Sequence, residues 1–331
     1  MKKGFILVLF MLFCSILFSQ GSNEISFFQD RNHYGVITES ANSEIAMNGS
    51  NMAVEEYYPF LQVDVLKITS YSETEALIRS AIDSNYDALF TIGTVDSILR
   101  DLAYENPDKR FASISDTISS SLPENYTEFY FDLYSSSYLS GIAAYFLSST
   151  NKVGIIAYND SAYIKRGIDG FLAGVEEAGT NCNVVVYVLD DNAEENTINA
   201  IIDRLIYEGV DIVFSLLGDN VYKVITKAEE KDLAVISGDK YIPSSSTSSV
   251  VLSCFIDLEK AISLMIGRIK EGERGGISIP IGLEDGVVDL SWFIDESEVN
   301  RINQDIRKVA INLKTTLRRY KKELENGSQL Q

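Results

Sequence analysis

The groups able to do chemistry in this sequence are overwhelmingly carboxylates. Its 331 residues include 48 Asp and Glu against 28 Lys and Arg, with one His and three Cys. A structural zinc site takes about four nitrogen or sulfur ligands, so this inventory leaves little for metal binding, and no metal site is expected. A Ser-His-Asp arrangement would have to use His33, close to the start of an exported chain. Paired carboxylates cleave glycosides only at a defined separation, and none stands at fixed spacing beside a nucleophile. No G-x-G-x-x-G follows a strand-like run, and G-x-x-x-x-G-K-[ST] is absent, so no nucleotide cofactor is expected. The net charge of −20 repels phosphate over most of the surface, which argues against nucleic acid as a partner. These residues point to a binding protein rather than an enzyme.

Whatever binds must be positioned by the elements between. Short apolar runs alternate with amphipathic stretches. The strands expected are Tyr34–Glu39, Val63–Ile68, Ala88–Ile92, Phe111–Ser115 and Glu128–Phe131, then Val153–Ala157, Val184–Leu189, Ile212–Ser215, Ala234–Ser237 and Val250–Cys254. Thr74–Ser84 predicts a helix with Ala76, Leu77, Ala81 and Ile82 on one face. Glu195–Glu208 does the same with Ile198, Ile201, Ile202, Leu205 and Ile206. Strands apolar on both faces and separated by helices indicate an α/β protein with parallel sheets. Ten strands in two sets of five fit two Rossmann-like lobes better than one sheet. The Ser-rich stretches 117–125 and 242–249 read as surface loops.

The two ends are different in kind. Lys2 and Lys3 precede an apolar run, residues 4–18, that is shorter than the ~20 residues a bilayer span needs. It suits a secretory signal over residues 1–21, with cleavage after Gly21; an uncleaved anchor and acylation at Cys14 are the alternatives. The expectation is therefore an exported protein of the periplasm or cell envelope, with membrane association only through the N-terminus. Export permits a Cys182–Cys254 disulfide, but both fall in or beside strands and are expected as buried free thiols. Residues 296–331 form an amphipathic helix and tail. The apolar stripe runs from Val299 to Leu324, and the other face carries Arg307, Lys308, Lys314, Arg318, Arg319, Lys321 and Lys322. That face is either solvated or set against anionic lipid or a partner.

Several stretches, in order, resemble the basic membrane protein family, exported or lipid-anchored substrate-binding proteins that include purine-nucleoside receptors of ABC transporters. They are YDALFTIG (86–93), ENPDKRFASISD (105–116), SSYLSGIAAYFLSSTNKVGIIA (136–157) and RGIDGFLAGVEEA (166–178), followed by YEGVDIVFSLLG (207–218), AVISGD (234–239), VVLSCFIDLEKAI (250–262) and GLEDGVVDL (282–290). The resemblance implies a type I periplasmic-binding-protein architecture. Residues 33–132 with 255–283 would form one lobe, and 133–254 with 284–295 the other, with a small polar ligand between them and an ABC permease as partner.

Carried over residue by residue, the resemblance places ligand contacts at Asp239, Asn48, Glu39, Asp116, Tyr158, Asp160 and Gly218. Asp239 would take the ribose hydroxyls of a nucleoside as an exposed carboxylate whose removal leaves stability unchanged. Met47-Asn48 stands where the family has a Phe-Asn pair opening a helix. Asp191 replaces a stacking Phe, and Asp257 an expected Lys. Two stacking rings and a cation are thus missing, and Tyr158, with Asn159 beside it, offers a replacement ring. The alternative function is a diverged binding-fold protein acting at the envelope or surface through protein contacts, without a tight small ligand.

Overall fold

The computed structural model describes residues 31–93, 95–115, 118–158, 161–190, 193–243 and 247–292, with Asn312, Thr315, Arg318, Arg319 and Lys322. Residues 1–21, expected as a signal segment, and most of 296–331 lie outside the described residues, as do Asp116, Asn159, Asp160 and Asp191.

Among the described residues, twelve strands form two six-stranded sheets. The first is ordered β11-β5-β4-β3-β1-β2, from Asn32–Glu39 (β1), Leu61–Ile68 (β2), Ala88–Ile92 (β3), Arg110–Ser115 (β4), Tyr126–Phe131 (β5) and Ile277–Ile281 (β11). The second is ordered β12-β10-β9-β8-β6-β7, from Lys152–Tyr158 (β6), Asn183–Leu189 (β7), Ile212–Leu216 (β8), Ala234–Ser237 (β9), Val250–Ile256 (β10) and Val288–Trp292 (β12). In the second sheet every pairing from β7 to β10 is parallel, and β12 runs antiparallel to β10. β1, β2, β3 and β4 are likewise parallel. The α/β, two-sheet architecture matches the sequence expectation. The ten expected strands are present, and β11 and β12 were not foreseen.

Eight helices are described in the connections: Ser43–Glu56 (α1), Thr74–Ile82 (α2), Asp96–Glu105 (α3), Tyr134–Leu147 (α4), Ala162–Ala178 (α5), Glu195–Tyr207 (α6), Val221–Lys231 (α7) and Leu258–Lys270 (α8). The chain divides into two compact units. One comprises residues 1–114, 121–128 and 259–277; the other comprises 115–120, 129–258 and 278–331.

In the second unit the residues of β6, β8 and β9 alternate between two cores. Val153, Ile155, Ala157, Phe214, Leu216 and Ile236 pack with α4 and α5. Ile156, Val213 and Val235 pack with α6 and α7. This is the period of two that a sheet covered on both faces requires. Helix α5 begins where the Ser161 side chain accepts a hydrogen bond from Ile164 N at 3.2 Å, an N-cap. It lies so close to α4 that a Cβ at Gly174 would sit 1.9 Å from the Tyr138 carbonyl oxygen. Only glycine permits that approach.

Two helix and cysteine expectations need correction. In α2 the buried positions are Thr74, Ile78, Ala81 and Ile82, and Ala76 is exposed. The i, i+4, i+7, i+8 spacing selects Ile78, because a helix turns 100° per residue and Ala76 falls off that stripe. In α6, Ile198, Ile202 and Leu205 are buried as expected. Both cysteines are free, but only Cys254 is buried, and Cys182 at the edge strand is partly exposed. Four strand spacings of about 4.8 Å separate β10 from β7, far beyond the reach of a disulfide.

Candidate functional site

The carboxyl ends of β6, β8 and β9 bring together three of the residues singled out in the sequence. Asp239 lies two residues past β9, Gly218 two past β8, and Tyr158 ends β6. Gly218 opens a short 3-10 turn, Gly218–Asn220, ahead of α7. Its φ is +54°, in the left-handed region, so a glycine relieves the strain that any side chain would bring. That conformation directs its N–H at Asp239, and Oδ2 accepts it at 2.9 Å. The other oxygen, Oδ1, is buried and has no hydrogen-bond partner among the described residues.

A half-satisfied carboxylate is an expensive group to keep ionised. Burial pushes the Asp239 carboxyl up from 3.8 to about 6, while the N–H of Gly218, its own backbone N–H and the Lys240 cation pull the other way. Desolvation wins. The expected exposed carboxylate is therefore corrected: Asp239 is partly buried, with one oxygen sealed from water.

The loop carrying Asp239 is held from below by two serine hydroxyls, those of Ser237 and Ser253. Ser215, Ser237 and Ser253 stand in register on adjacent strands and are fully buried. Ser237 Oγ donates to Lys240 O at 2.5 Å and Ser253 Oγ to the same oxygen at 2.9 Å. Ser253 Oγ also accepts from Ile242 N at 3.0 Å. From the outside, Lys240 Nζ pairs with Asp219 Oδ1 at 2.8 Å. Tyr158 is partly buried against the α6–α7 core, and its hydroxyl accepts from Asn220 Nδ2 at 2.5 Å. Asn220 keeps its carbonyl oxygen as an acceptor and Tyr158 keeps its hydroxyl hydrogen as a donor. Sequence reading passed over Asn220, Lys240 and the three serines. A Gly-Asp-Asn run entering a helix is the only local signal they offer.

In the first unit Glu39 ends β1 and takes the N-cap position of the 3-10 turn Ser40–Asn42, without capping through its side chain. Asn48 is exposed on α1, and its Nδ2 donates to Glu259 Oε1 at 2.8 Å. Met47 and Asn48 do not open the helix as expected. α1 starts at Ser43, whose hydroxyl turns back to Ser40 O at 2.9 Å, so the pair lies in the second turn. Met47 is exposed there. Asp257 follows β10, with its N–H on Val287 O at 2.8 Å. Asp116 and Asp160 lie outside the described residues.

The single imidazole is elsewhere. His33 Nε2 meets Asp64 Oδ2 at 2.8 Å near the amino end of β1, with Tyr86 OH donating to the same carboxylate oxygen at 3.1 Å. Among the described residues no group of three or more His, Cys, Asp or Glu is placed to hold a metal ion. No helix among them is long and apolar enough to cross a membrane.

Comparison with known proteins gives a consistent picture. Residues 28–323 match the sequence model of the Bmp family, described as ABC transporter substrate-binding protein PnrA-like. Basic membrane protein A of Borreliella burgdorferi is 24% identical over 303 residues, covering 88% of each chain. The ABC transporter nucleoside-binding protein BmpA of Lactococcus lactis is 24% identical over 252 residues, covering 70% of each. Among solved structures, an ABC transporter solute-binding protein of Aeropyrum pernix K1 superposes with a TM-score of 0.58 at 18% identity. It covers 90% of this chain and 92% of its own.

Proposed function

The chain belongs to the Bmp family of PnrA-like ABC transporter substrate-binding proteins, and we propose that it is exported, binds a purine nucleoside or a closely similar polyol-bearing ligand, and delivers it to an ABC permease. The observation that carries this reading is the Asp239 carboxylate, with one oxygen on Gly218 N and the other buried without a partner. A ligand hydroxyl is the group that such an oxygen lacks. Hydrogen bonds to a charged acceptor contribute about 1.5–3 kcal/mol each, enough to make this the dominant anchor. The carbonyl of Asn220 and the hydroxyl of Tyr158 stand on the neighbouring strand ends and supply an acceptor and a donor to the same ligand. Asp116, Asp160, Glu39 and Asn48 complete the proposed contacts.

Calorimetric titration of the purified chain with adenosine, guanosine and inosine tests the proposal. Saturable binding below millimolar concentration supports it, and the absence of heat from all three at millimolar concentration rejects the nucleoside. One observation favours the second reading, an envelope interaction protein without a tight small ligand. The Asn48 amide, a donor the ligand would need, is already held by Glu259. Failure of all three titrations, together with no small molecule released from freshly purified protein, would favour that reading.

A further inference from the structure

We propose that β7 is a dimerisation edge, on which the same strand of a second copy of this chain adds in antiparallel register. β7 is a terminal strand of its sheet and, among the described residues, pairs with β6 alone. Alternate residues along its other side therefore present backbone N–H and C=O groups to any strand that reaches them. The terminal strands of the two sheets are not alike. β2 carries Asp64 and Lys67, β11 carries Pro280, and β12 carries Asp289. Charges and proline are the devices that keep an edge from pairing. β7, with the sequence NVVVYVL, carries neither over its seven residues, and its valines and tyrosine favour strand pairing.

Charge selects the occupant. The chain has a net charge of −20, so two copies repel wherever their carboxylates meet. Residues 179–189 hold no Asp, Glu, Lys or Arg, so two copies can meet along this edge without that cost. The strand is also its own complement. A two-fold axis perpendicular to the sheet keeps each side chain on its face, so a symmetric antiparallel pair must be centred on a residue. Val186 is the middle residue of β7, and only this centre pairs all seven residues of the strand. It sets Val184 opposite Val188, Val185 opposite Tyr187, and Val186 opposite itself. Val186 and Val188 are 39% and 46% exposed on the face where Val184 is partly buried. Val185 and Tyr187 lie on the other face, against the α6–α7 core. Pairing covers the exposed valines with those of the second copy and satisfies the outward backbone groups of both strands. The contact is isologous, so both edges are consumed and assembly stops at two. An edge of seven residues spans about 23 Å, the small end of specific interfaces, so the dissociation constant expected is on the order of 1–100 µM. The dimer is independent of the ligand.

Sedimentation velocity of the full chain from about 1 to about 500 µM tests the proposal. Wild type should pass from monomer to dimer without larger species, and should dimerise more tightly in half-molar salt, which screens the repulsion between acidic copies. Val186→Lys sets two cations against each other at the axis and should weaken the dimer by about tenfold or more, with an unchanged far-UV circular dichroism spectrum. Val186→Thr keeps the β-branched shape without a charge and should dimerise within about threefold of wild type. Disulfide trapping in a Cys182→Ser background reads the register. Val186→Cys should give a covalent dimer on mild oxidation with copper phenanthroline. Val188→Cys should not, because its counterpart in the second copy lies four residues along the strand, about 13 Å away and out of disulfide reach. A chain that stays monomeric through the whole range would overturn the proposal and leave the edge to a strand of another protein. So would species larger than a dimer, a dimer that Val186→Lys leaves intact, or equal trapping by the two cysteine variants.

Discussion

Replacing Asp239 by Asn should make the ligand-free protein more stable at neutral pH. The carboxylate has one buried oxygen without a partner, and burial lifts its pKa from 3.8 to about 6. Asn keeps a carbonyl for the Gly218 N–H and leaves a neutral NH2 where the unpartnered ionic oxygen stood, so the main difference is the charge. A shift of about two units corresponds to roughly 3 kcal/mol, and the partial exposure of the side chain reduces this to about 1–3 kcal/mol. The sign follows from proton binding. The folded pKa is raised, so the folded state holds the extra proton between about pH 4 and pH 6, and stability falls as pH rises through that window. The variant lacks the penalty. By differential scanning calorimetry, Asp239→Asn should melt about 3–10 °C above wild type at pH 7.5, with the gap closing towards pH 4. A variant less stable than wild type at pH 7.5, or a gap that does not change with pH, would refute the reasoning that burial outweighs the hydrogen bonds at this carboxyl.

The same ionisation governs the ligand. Nucleoside affinity should rise with pH through about 6 in wild type, as the acceptor ionises, and show no such step in Asp239→Asn, as read by calorimetric titration between pH 5 and pH 8. Tyr158→Phe and Asn220→Ala should each cost about 0.5–1.5 kcal/mol of stability, and the double variant should fall short of the sum, since they share one hydrogen bond. Additive losses in urea unfolding would show that the pair does not interact. Gly174→Ala should cost at least 1–3 kcal/mol, because its Cβ would lie 1.9 Å from the Tyr138 carbonyl oxygen and α4 and α5 must part; thermal denaturation measures it. Burial pushes the Cys254 thiol up to about 12, so iodoacetamide at pH 8 should label Cys182 in the folded protein and Cys254 only after unfolding. Peptide mapping that finds Cys254 alkylated first would contradict its burial.

The strands and helices were legible because their signal is local. Ala88–Ile92 and Ala234–Ser237 are bounded in the structure as the apolar runs predict, and most other strands gain only one or two residues at an end. β11 and β12 escaped notice for a physical reason. Both are terminal strands of their sheets, and β11 carries Pro280, a residue that edge positions tolerate and central strands do not. With one neighbour each and only partial burial, neither needs the continuous apolar run that marks a central strand.

The sequence by itself determined the alternation of strand and helix, the excess of carboxylate over every other reactive group, and the place of Asp239 just beyond a strand. Each of these depends on residues within a few positions of one another. The tertiary structure alone decided what Asp239 is. Its hydrogen-bond partner is 21 residues away at Gly218, and the Tyr158–Asn220 bond spans 62 residues. The serines beneath it come from three strands whose register only the sheet sets. A pKa depends on which groups surround a carboxyl in space and how much water reaches it, and neither quantity is written in the spacing of residues along a chain.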